Sequence, residues 1–149
     1  MSAATAMKFA PRRVERVLLI VNPASRRADR LRRKAVKAFA KAEVGCDVMV
    51  TEAPGHATTL AKSHAHKYDA AFVLGGDGTL MEVLGALAHQ GPPVGVLAGG
   101  TGNVVARTLR IPLNPARAIP LLLEGDEATI DLGRLGDVCG RSRPAPHSR

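Results

Sequence analysis

The sequence predicts an α/β fold of the doubly wound type, with a mostly parallel sheet and helices on both of its faces. Three observations lead to this prediction. Short apolar runs such as residues 17–21 (VLLIV) are continuous rather than alternating, which is typical of strands buried on both faces. Segments with apolar residues at helical spacing separate these runs. The resulting alternation of strand and helix favours a parallel sheet.

The first half of the chain contains two predicted strands and two predicted helices. The strand at residues 17–21 stops at Asn22-Pro23. In the helix that follows, one face carries Leu31, Ala35, Ala38, Phe39 and Ala42. Gly45 is predicted to end that helix. Residues 47–51 (DVMVT) form the second predicted strand, and residues 56–66 form the second predicted helix.

The second half begins with a predicted strand at residues 70–74 (AAFVL), which leads into the glycine cluster GGDGT. The next helix has an apolar face made by Leu80, Val83, Leu84, Leu87 and Ala88. A fourth strand at residues 94–97 leads into the cluster AGGTGN, and residues 103–109 are predicted to form a short helix.

The last predicted helix has recognisable end signals. Asn114 and Pro115 fit the N-cap and first helical positions, and Gly125 closes the helix. Pro120 is expected to kink this helix or to end its first part. Residues 128–132 (ATIDL) are predicted to form a final strand.

A length of 149 residues suits one domain. We expect a flexible N-terminus at residues 1–13 and a single domain at residues 14–133. From Gly133 the periodicity fails, and residues 134–149, rich in Arg and Pro, are predicted to be a disordered or truncated tail.

The net charge of +8 is concentrated in one segment. Residues 26–41 (RRADRLRRKAVKAFAK) contain eight Lys or Arg and one Asp. Such an excess favours anionic partners, and three interpretations stay open: a solvated helix face, a peripheral contact with an anionic membrane, and nucleic acid. Because the aromatic content is only 3%, the sequence argues against a base-stacking surface, and we expect no nucleic acid partner.

The sequence predicts a cytoplasmic protein that is soluble or membrane-peripheral. The basic pair Arg12-Arg13 follows the mildly apolar N-terminal part, which is the reverse of a signal peptide, and no apolar run has the length of a membrane span. Cys46 and Cys139 fit no zinc-binding spacing, and reduced thiols are the expected state.

Polar or glycine-rich loops follow three of the predicted strands, at residues 22–26, 75–79 and 99–103. Ligands of open α/β sheets bind beyond the carboxyl ends of the strands, so these loops predict one shared anion site. The clusters are not a dinucleotide fingerprint, since Met81 and Val105 stand where the last glycine is required. They are not a P-loop either, because the GK[ST] sequence is absent.

Asp77 is unusual in a phosphate loop, because a carboxylate repels phosphate unless a cation lies between them. Mg²⁺ suits this arrangement, since it binds one or two carboxylates together with waters and phosphates. The alternative is a carboxylate held only by backbone N–H groups. Thr79 and Glu82 also fit a capping box, in which Thr79 accepts from the Glu82 N–H and Glu82 reaches back.

Three motifs together resemble the diacylglycerol kinase catalytic domain, which sphingosine and related bacterial lipid kinases share. GGDGTLMEV resembles the GGDGTxNEV signature of that family, and residues 21–25 (VNPAS) resemble its VNPxSG. Residues 100–103 (GTGN) with Ala106-Arg107 resemble its GTxNDxAR, and the pair Thr51-Glu52 resembles a TE pair. The motifs occur in the family's order, from about Val14 to Gly133.

The resemblance implies a kinase that uses ATP and Mg²⁺ to phosphorylate a lipid alcohol such as diacylglycerol. Asp77 would be the catalytic and metal-binding residue. The residues implied to bind the nucleotide cofactor, besides Asp77, are Asn22, Pro23, Ser25, Arg26, Thr51, Gly75, Gly76, Gly78, Thr79, Gly100, Thr101 and Asn103.

The chain departs from the family pattern at three positions and at its end. Met81 stands where Asn is usual, Val104 where Asp is frequent, and Arg26 where the family has Gly. Arg26 would either add positive charge for a phosphate group or crowd the turn if a positive φ were required there. The second, β-rich domain of the family is absent, so we expect a truncated fragment. Alternative interpretations are another GGDG kinase, of the NAD kinase or 6-phosphofructokinase type, and a non-enzymatic nucleotide-binding remnant.

Overall fold

A computed structural model describes residues 13–88, 90–125, 134–135 and 138–139. The strands are β1 (Arg16–Val21), β2 (Gly45–Val50), β3 (Ala70–Gly75), β4 (Val94–Ala98), β5 (Arg134–Leu135) and β6 (Val138–Cys139). The helices are α1 (Ala28–Lys41), α2 (His56–His64), α3 (Asp77–Ala86), α4 (Val104–Thr108) and α5 (Pro115–Glu124). A single 3₁₀ turn, Ala65–Lys67, follows α2.

The main sheet has four parallel strands in the order β2-β1-β3-β4, which confirms the predicted α/β class. The chain moves from β1 to one side to form β2 and then returns to the other side of β1 to form β3. The carboxyl ends of β1 and β3 therefore flank a topological switch point, where sheets of this type bind ligands. Val21 of β1 is level with Val50 of β2 and Leu74 of β3.

The sheet separates two hydrophobic layers, because successive side chains of a buried strand point to opposite faces. Val17, Leu19 and Val21 of β1 pack on the side of α1 and α5. Leu18 and Ile20 pack on the side of α2 and α3. The predicted helices on both faces are thus confirmed, and β1 is buried from Val17 onward.

The helix ends differ from the sequence predictions at two places. Helix α1 ends at Lys41, and Glu43 takes the left-handed conformation with φ 60°, whereas Gly45 already starts β2. Helix α5 does not end at Pro120, which lies on the exposed side of the helix. Proline has no N–H, so one carbonyl of the preceding turn receives no hydrogen bond from it, and on this side solvent can supply one. The predicted N-cap is confirmed, since Asn114 Oδ1 accepts from the Ala116 N–H at 3.0 Å.

The predicted final strand at residues 128–132 lies outside the described residues, as does most of the predicted N-terminal and C-terminal segments. In the segment expected to lack regular structure, β5 pairs with β6 in antiparallel fashion. The boundaries at residues 13 and 133 stay predictions. Within the part of the chain that is described, no helix is long and apolar enough to cross a membrane.

A charged cluster joins the strands at the amino edge of the sheet. Arg16 Nη2 lies 2.8 Å from Asp47 Oδ2, and the Tyr68 hydroxyl donates to the same oxygen at 2.6 Å. The Arg16 guanidinium also lies 5.4 Å from the centre of the Tyr68 ring. Asp69 Oδ2 accepts from the backbone N–H groups of Glu15 and Arg16. The hydrogen bond from Tyr68, with Arg16 beside it, holds the pKa of Asp47 below its usual value.

Candidate active site

Asn22 links the loop after β1 to the glycine cluster after β3. Its backbone N–H donates to the Leu74 carbonyl at 3.0 Å, and its Nδ2 donates to Thr79 Oγ1 at 2.9 Å. Its Oδ1 accepts from the Ala24 N–H at 3.0 Å and so shapes the turn that follows. Two of the motifs found in the sequence are therefore in direct contact across the switch point.

Helix α3 begins inside the glycine cluster rather than at Leu80. Gly76 is the N-cap residue, and Asp77, Gly78 and Thr79 form the first turn. The capping-box interpretation is wrong, because Thr79 lies within the helix and its hydroxyl accepts from Asn22 instead. The first backbone N–H groups of a helix have no partner within it, so this turn directs donors toward the carboxyl edge.

Asp77 joins the two glycine clusters. Its Oδ1 accepts from the backbone N–H of Val104, the first residue of α4, at 2.9 Å. Among the described residues, none donates a hydrogen bond to its other oxygen, Oδ2. One oxygen of Asp77 is therefore held by a backbone N–H group, and its contact with a metal ion stays a prediction.

Close backbone contact explains part of the glycine content. A Cβ at Gly100 would lie 2.5 Å from the Gly76 Cα, and one at Gly99 would lie 2.8 Å from the Gly75 nitrogen. The absence of side chains at these positions lets the two clusters pack backbone against backbone. Gly78 is different, because a Cβ there would meet nothing within 4 Å and its φ is not positive. Nothing in the described protein requires a glycine at this exposed position.

Asn103 shapes the second cluster. It has a left-handed backbone with φ 51°, and its buried side chain accepts from the Gly100 N–H and donates to the Gly100 carbonyl. Arg107 Nε donates to the Gly102 carbonyl at 3.0 Å. Thr101 lies exposed at the tip. The loop is thus ordered by its own side chains, and contacts of Asn103 and Thr101 with nucleotide stay predictions.

The loop after β1 is also ordered locally. Ser25 Oγ accepts from the Arg27 N–H at 3.2 Å, just before α1, whereas Pro23 and Arg26 are exposed. Arg26 does not have a positive φ, so its backbone does not require the family's glycine. The concern that Arg26 crowds the turn is thereby removed.

The loop at residues 51–55 contains two contacts that the sequence did not reveal. Glu82 Oε1 accepts from the Gly55 N–H at 2.6 Å, and His56 Nδ1 accepts from the Glu52 N–H at 2.9 Å. The loop starts at Thr51, which is buried and donates its N–H to the Val21 carbonyl. The partners Gly55 and Glu82 are distant along the chain, so no local pattern indicates their contact.

Met81 belongs to the hydrophobic core. It is 7% exposed and packs in the layer between the sheet and helices α2 and α3. The interpretation that Met81 marks a lost polar contact at the site is therefore not supported by its position. The unusual residue instead extends the apolar face of α3.

Among the described residues, no group of three or more His, Cys, Asp or Glu side chains could enclose a metal ion. A lone carboxylate, one oxygen of which accepts no hydrogen bond from the described residues, fits Mg²⁺ held mainly by phosphates and water, which is the usual mode for this ion. Asp77 is therefore the residue that would contact it.

Burial raises the pKa of the Cys46 thiol to about 11, so Cys46 is a poor nucleophile near neutral pH.

The site thus consists of helix α3 at its centre and three loops fastened to the first two turns of that helix. Thr79 contacts the loop after β1, Glu82 contacts the loop after β2, and Asp77 contacts the start of α4, directly after the loop that follows β4. Free backbone donors and the helix dipole attract an anion, and Asp77 offers an oxygen to a cation beside it. This combination suits a phosphate ligand with a bound metal ion.

Comparison with known proteins agrees with this geometry. The family model for the diacylglycerol kinase catalytic domain matches residues 16–135. A protein named diacylglycerol kinase from Staphylococcus aureus is 33% identical over 129 residues, which are 83% of this chain and 41% of the relative. One of the same name from Staphylococcus saprophyticus is 36% identical over 98 residues, which are 64% of this chain and 32% of the relative.

A solved structure shows the same fold. The crystal structure of a diacylglycerol kinase from Bacillus anthracis superposes with a TM-score of 0.68 at 35% identity, over 76% of this chain and 43% of that one. The chain therefore spans less than half the length of these relatives. Because the family match covers most of the chain, including all three motifs at the carboxyl edge, the chain belongs to the diacylglycerol kinase catalytic domain family.

Proposed function

We propose that this chain is the ATP-binding part of a lipid kinase, which transfers the γ-phosphoryl group of ATP to the hydroxyl of a diacylglycerol-like lipid. The observation that carries the proposal is the first turn of α3. There, the exposed glycine Gly78, which nothing in the described part of the chain requires, stands between Asp77 and Thr79. A bare backbone at a helix N-terminus allows close approach of a phosphate group.

The residues have separate roles in this proposal. The N–H groups of the first turn of α3 bind phosphate, together with the polar groups of the loops at Asn22, Thr51 and Thr101. Asp77 Oδ2 contacts phosphate-bound Mg²⁺, which neutralises charge during transfer. The acceptor lipid and the group that takes its proton are left to the part of the protein that extends beyond this domain in the relatives.

The substitution Asp77→Asn tests the nucleotide site. Asparagine can keep the oxygen that accepts from the Val104 N–H, but it removes the charge that Mg²⁺ requires. We expect Mg²⁺-dependent ATP binding, measured by calorimetry, to weaken on the order of ten-fold or more, with little change in melting temperature. Unchanged binding with a lower melting temperature would show that Asp77 is only structural.

Lipid and nucleotide assays separate the remaining alternatives. Phosphorylation of diacylglycerol in mixed micelles supports the kinase proposal for this chain itself. Binding of ATP with Mg²⁺ but no lipid phosphorylation supports the nucleotide-binding remnant, whereas phosphorylation of soluble NAD supports the NAD kinase alternative. A chain that binds no nucleotide contradicts every one of these enzymatic interpretations.

We also propose that the exposed face of α1 contacts an anionic membrane. This face, made by Arg30, Arg33, Lys34 and Lys37, borders a shallow depression, and the single acidic residue of the helix, Asp29, is already paired with Arg32 and Arg33. Basic residues near an anionic surface each add about 1 kcal/mol of attraction. Co-sedimentation with phosphatidylglycerol vesicles, compared with neutral vesicles and with Lys34→Ala/Lys37→Ala, tests this contact.

A further inference from the structure

We propose that Glu82 is a positioning residue of the nucleotide site, because its carboxylate holds the loop at residues 51–55 against helix α3. This inference rests on the proposed nucleotide site. It concerns a contact between two segments that are far apart in sequence, and it gives Glu82 a role in binding without requiring that Glu82 touch the nucleotide.

The contact is short and supplies what helix α2 lacks. Glu82 Oε1 accepts from the Gly55 N–H at 2.6 Å. Gly55 is the N-cap residue of α2, with φ 86°, and has no side chain with which to cap the helix. The first turn of α2 contains no acidic residue. The carboxylate of Glu82 therefore provides both a hydrogen-bond acceptor and a negative charge at the positive end of α2.

A second contact joins the same two helices. The Thr58 hydroxyl donates to the Glu82 carbonyl at 3.4 Å, so both the side chain and the backbone of Glu82 face the start of α2. The side chain of Glu82 is half-buried. A hydrogen bond between an ionised group and a backbone N–H is stronger than a neutral one.

The loop that Glu82 holds lies next to the other site loops. At its start, the Thr51 N–H donates to the carbonyl of Val21, the residue before Asn22. At its end, Glu82 fixes Gly55, so the loop is anchored at both ends to elements that form the site. Loss of the second anchor frees the loop at Gly55, and nucleotide binding must then order it at a cost in affinity.

The test uses Mg-ATP binding by calorimetry and hydrogen exchange of residues 51–56 without nucleotide. Glu82→Ala removes the acceptor, Glu82→Gln keeps an acceptor of equal length, and Glu82→Asp keeps the charge on a shorter chain. We expect Glu82→Ala and Glu82→Asp to accelerate hydrogen exchange and to weaken Mg-ATP binding on the order of ten-fold. We expect the Mg-ATP affinity of Glu82→Gln to stay within about a few-fold of that of the original protein. Glu124→Ala, an exposed glutamate at the end of α5, is the matched control.

Two results overturn the proposal. If Glu82→Ala accelerates exchange but binds Mg-ATP as tightly as the original protein, Glu82 is only structural. If exchange at residues 51–56 does not change, the anchor itself does not hold the loop. If Glu82→Ala fails to fold, the comparison of Glu82→Asp with Glu82→Gln decides whether the carboxylate positions the loop.

Failure of the proposed function gives a different result. If the unsubstituted protein binds no Mg-ATP, the nucleotide site is wrong and the positioning role is overturned with it. The exchange measurement would still show whether Glu82 anchors Gly55, which distinguishes a failed site from a failed anchor.

Discussion

The two edges of the sheet are held together by different kinds of contact. At the amino edge, Arg16, Asp47 and Tyr68 form an exposed charged cluster. At the carboxyl edge, the Asn22–Thr79 bond and the backbone contact of Gly100 with Gly76 are neutral and partly buried. Exposed ion pairs contribute little to stability, whereas an unsatisfied buried polar group or a steric overlap is costly.

This difference places the contacts that matter more for stability at the edge that carries the candidate site. In the amino-edge cluster, the polar groups bond to one another, and the strands that they join are already paired in the sheet. At the carboxyl edge, the side chains of α3 fix the loops, and none of the described residues donates a hydrogen bond to Asp77 Oδ2. We therefore expect substitutions at the carboxyl edge to have larger effects than those at the amino edge.

The largest expected effect is that of Gly100→Ala. The new Cβ would lie 2.5 Å from the Gly76 Cα, so the two backbones must separate. We expect a loss of about 3 kcal/mol in the free energy of unfolding, measured by urea denaturation. Gly78→Ala is the control, because its Cβ would meet nothing within 4 Å and should leave stability unchanged. Equal losses for the two variants would contradict the proposed backbone packing.

An intermediate effect is expected from Asn22→Ala. This change leaves the buried Thr79 hydroxyl without the Nδ2 donor and the Ala24 N–H without its acceptor. We expect a loss of about 1.5 kcal/mol in the free energy of unfolding. Addition of Thr79→Ala to this variant should cost little more, since both partners of the bond are then absent. A fully additive double variant would show that the bond does not couple the two loops.

The smallest effect is expected from Asp47→Asn at the amino edge. Near neutral pH we expect only a slight fall in melting temperature, because the Asp47 carboxylate is exposed. Its pKa is lowered in the folded protein, chiefly by the Tyr68 hydrogen bond and then by Arg16. The contribution of the Asp47 carboxylate to stability is therefore complete above the usual aspartate pKa, and it is lost as the pH falls through the lowered pKa of the folded protein.

Thermal melts of both proteins over a series of acidic buffers check this dependence. The difference in melting temperature should disappear at the acidic end of the series. A difference in melting temperature that persists there, or one as large as that of Asn22→Ala at neutral pH, would contradict the distinction between the two edges.

The layer structure could be predicted from the sequence, because burial on both faces requires continuous apolar strands such as β1, with amphipathic helices between them. The Asn114 cap could be predicted as well, because it depends on neighbouring residues only. The parallel order of the strands placed the Asn22 loop and both glycine clusters at one edge. The motifs in those loops then sufficed to identify the family.

How these loops are joined depends on tertiary packing and could not be predicted from the sequence. Thr79 and Glu82 match a local capping box in sequence, but each instead bonds to a distant segment, at Asn22 and Gly55. From the sequence, Met81 suggests a lost polar contact at the site, but the orientation of α3 places the Met81 side chain in the core. Contacts between residues far apart in the chain depend on how whole elements pack, and a one-dimensional pattern does not contain that distance information.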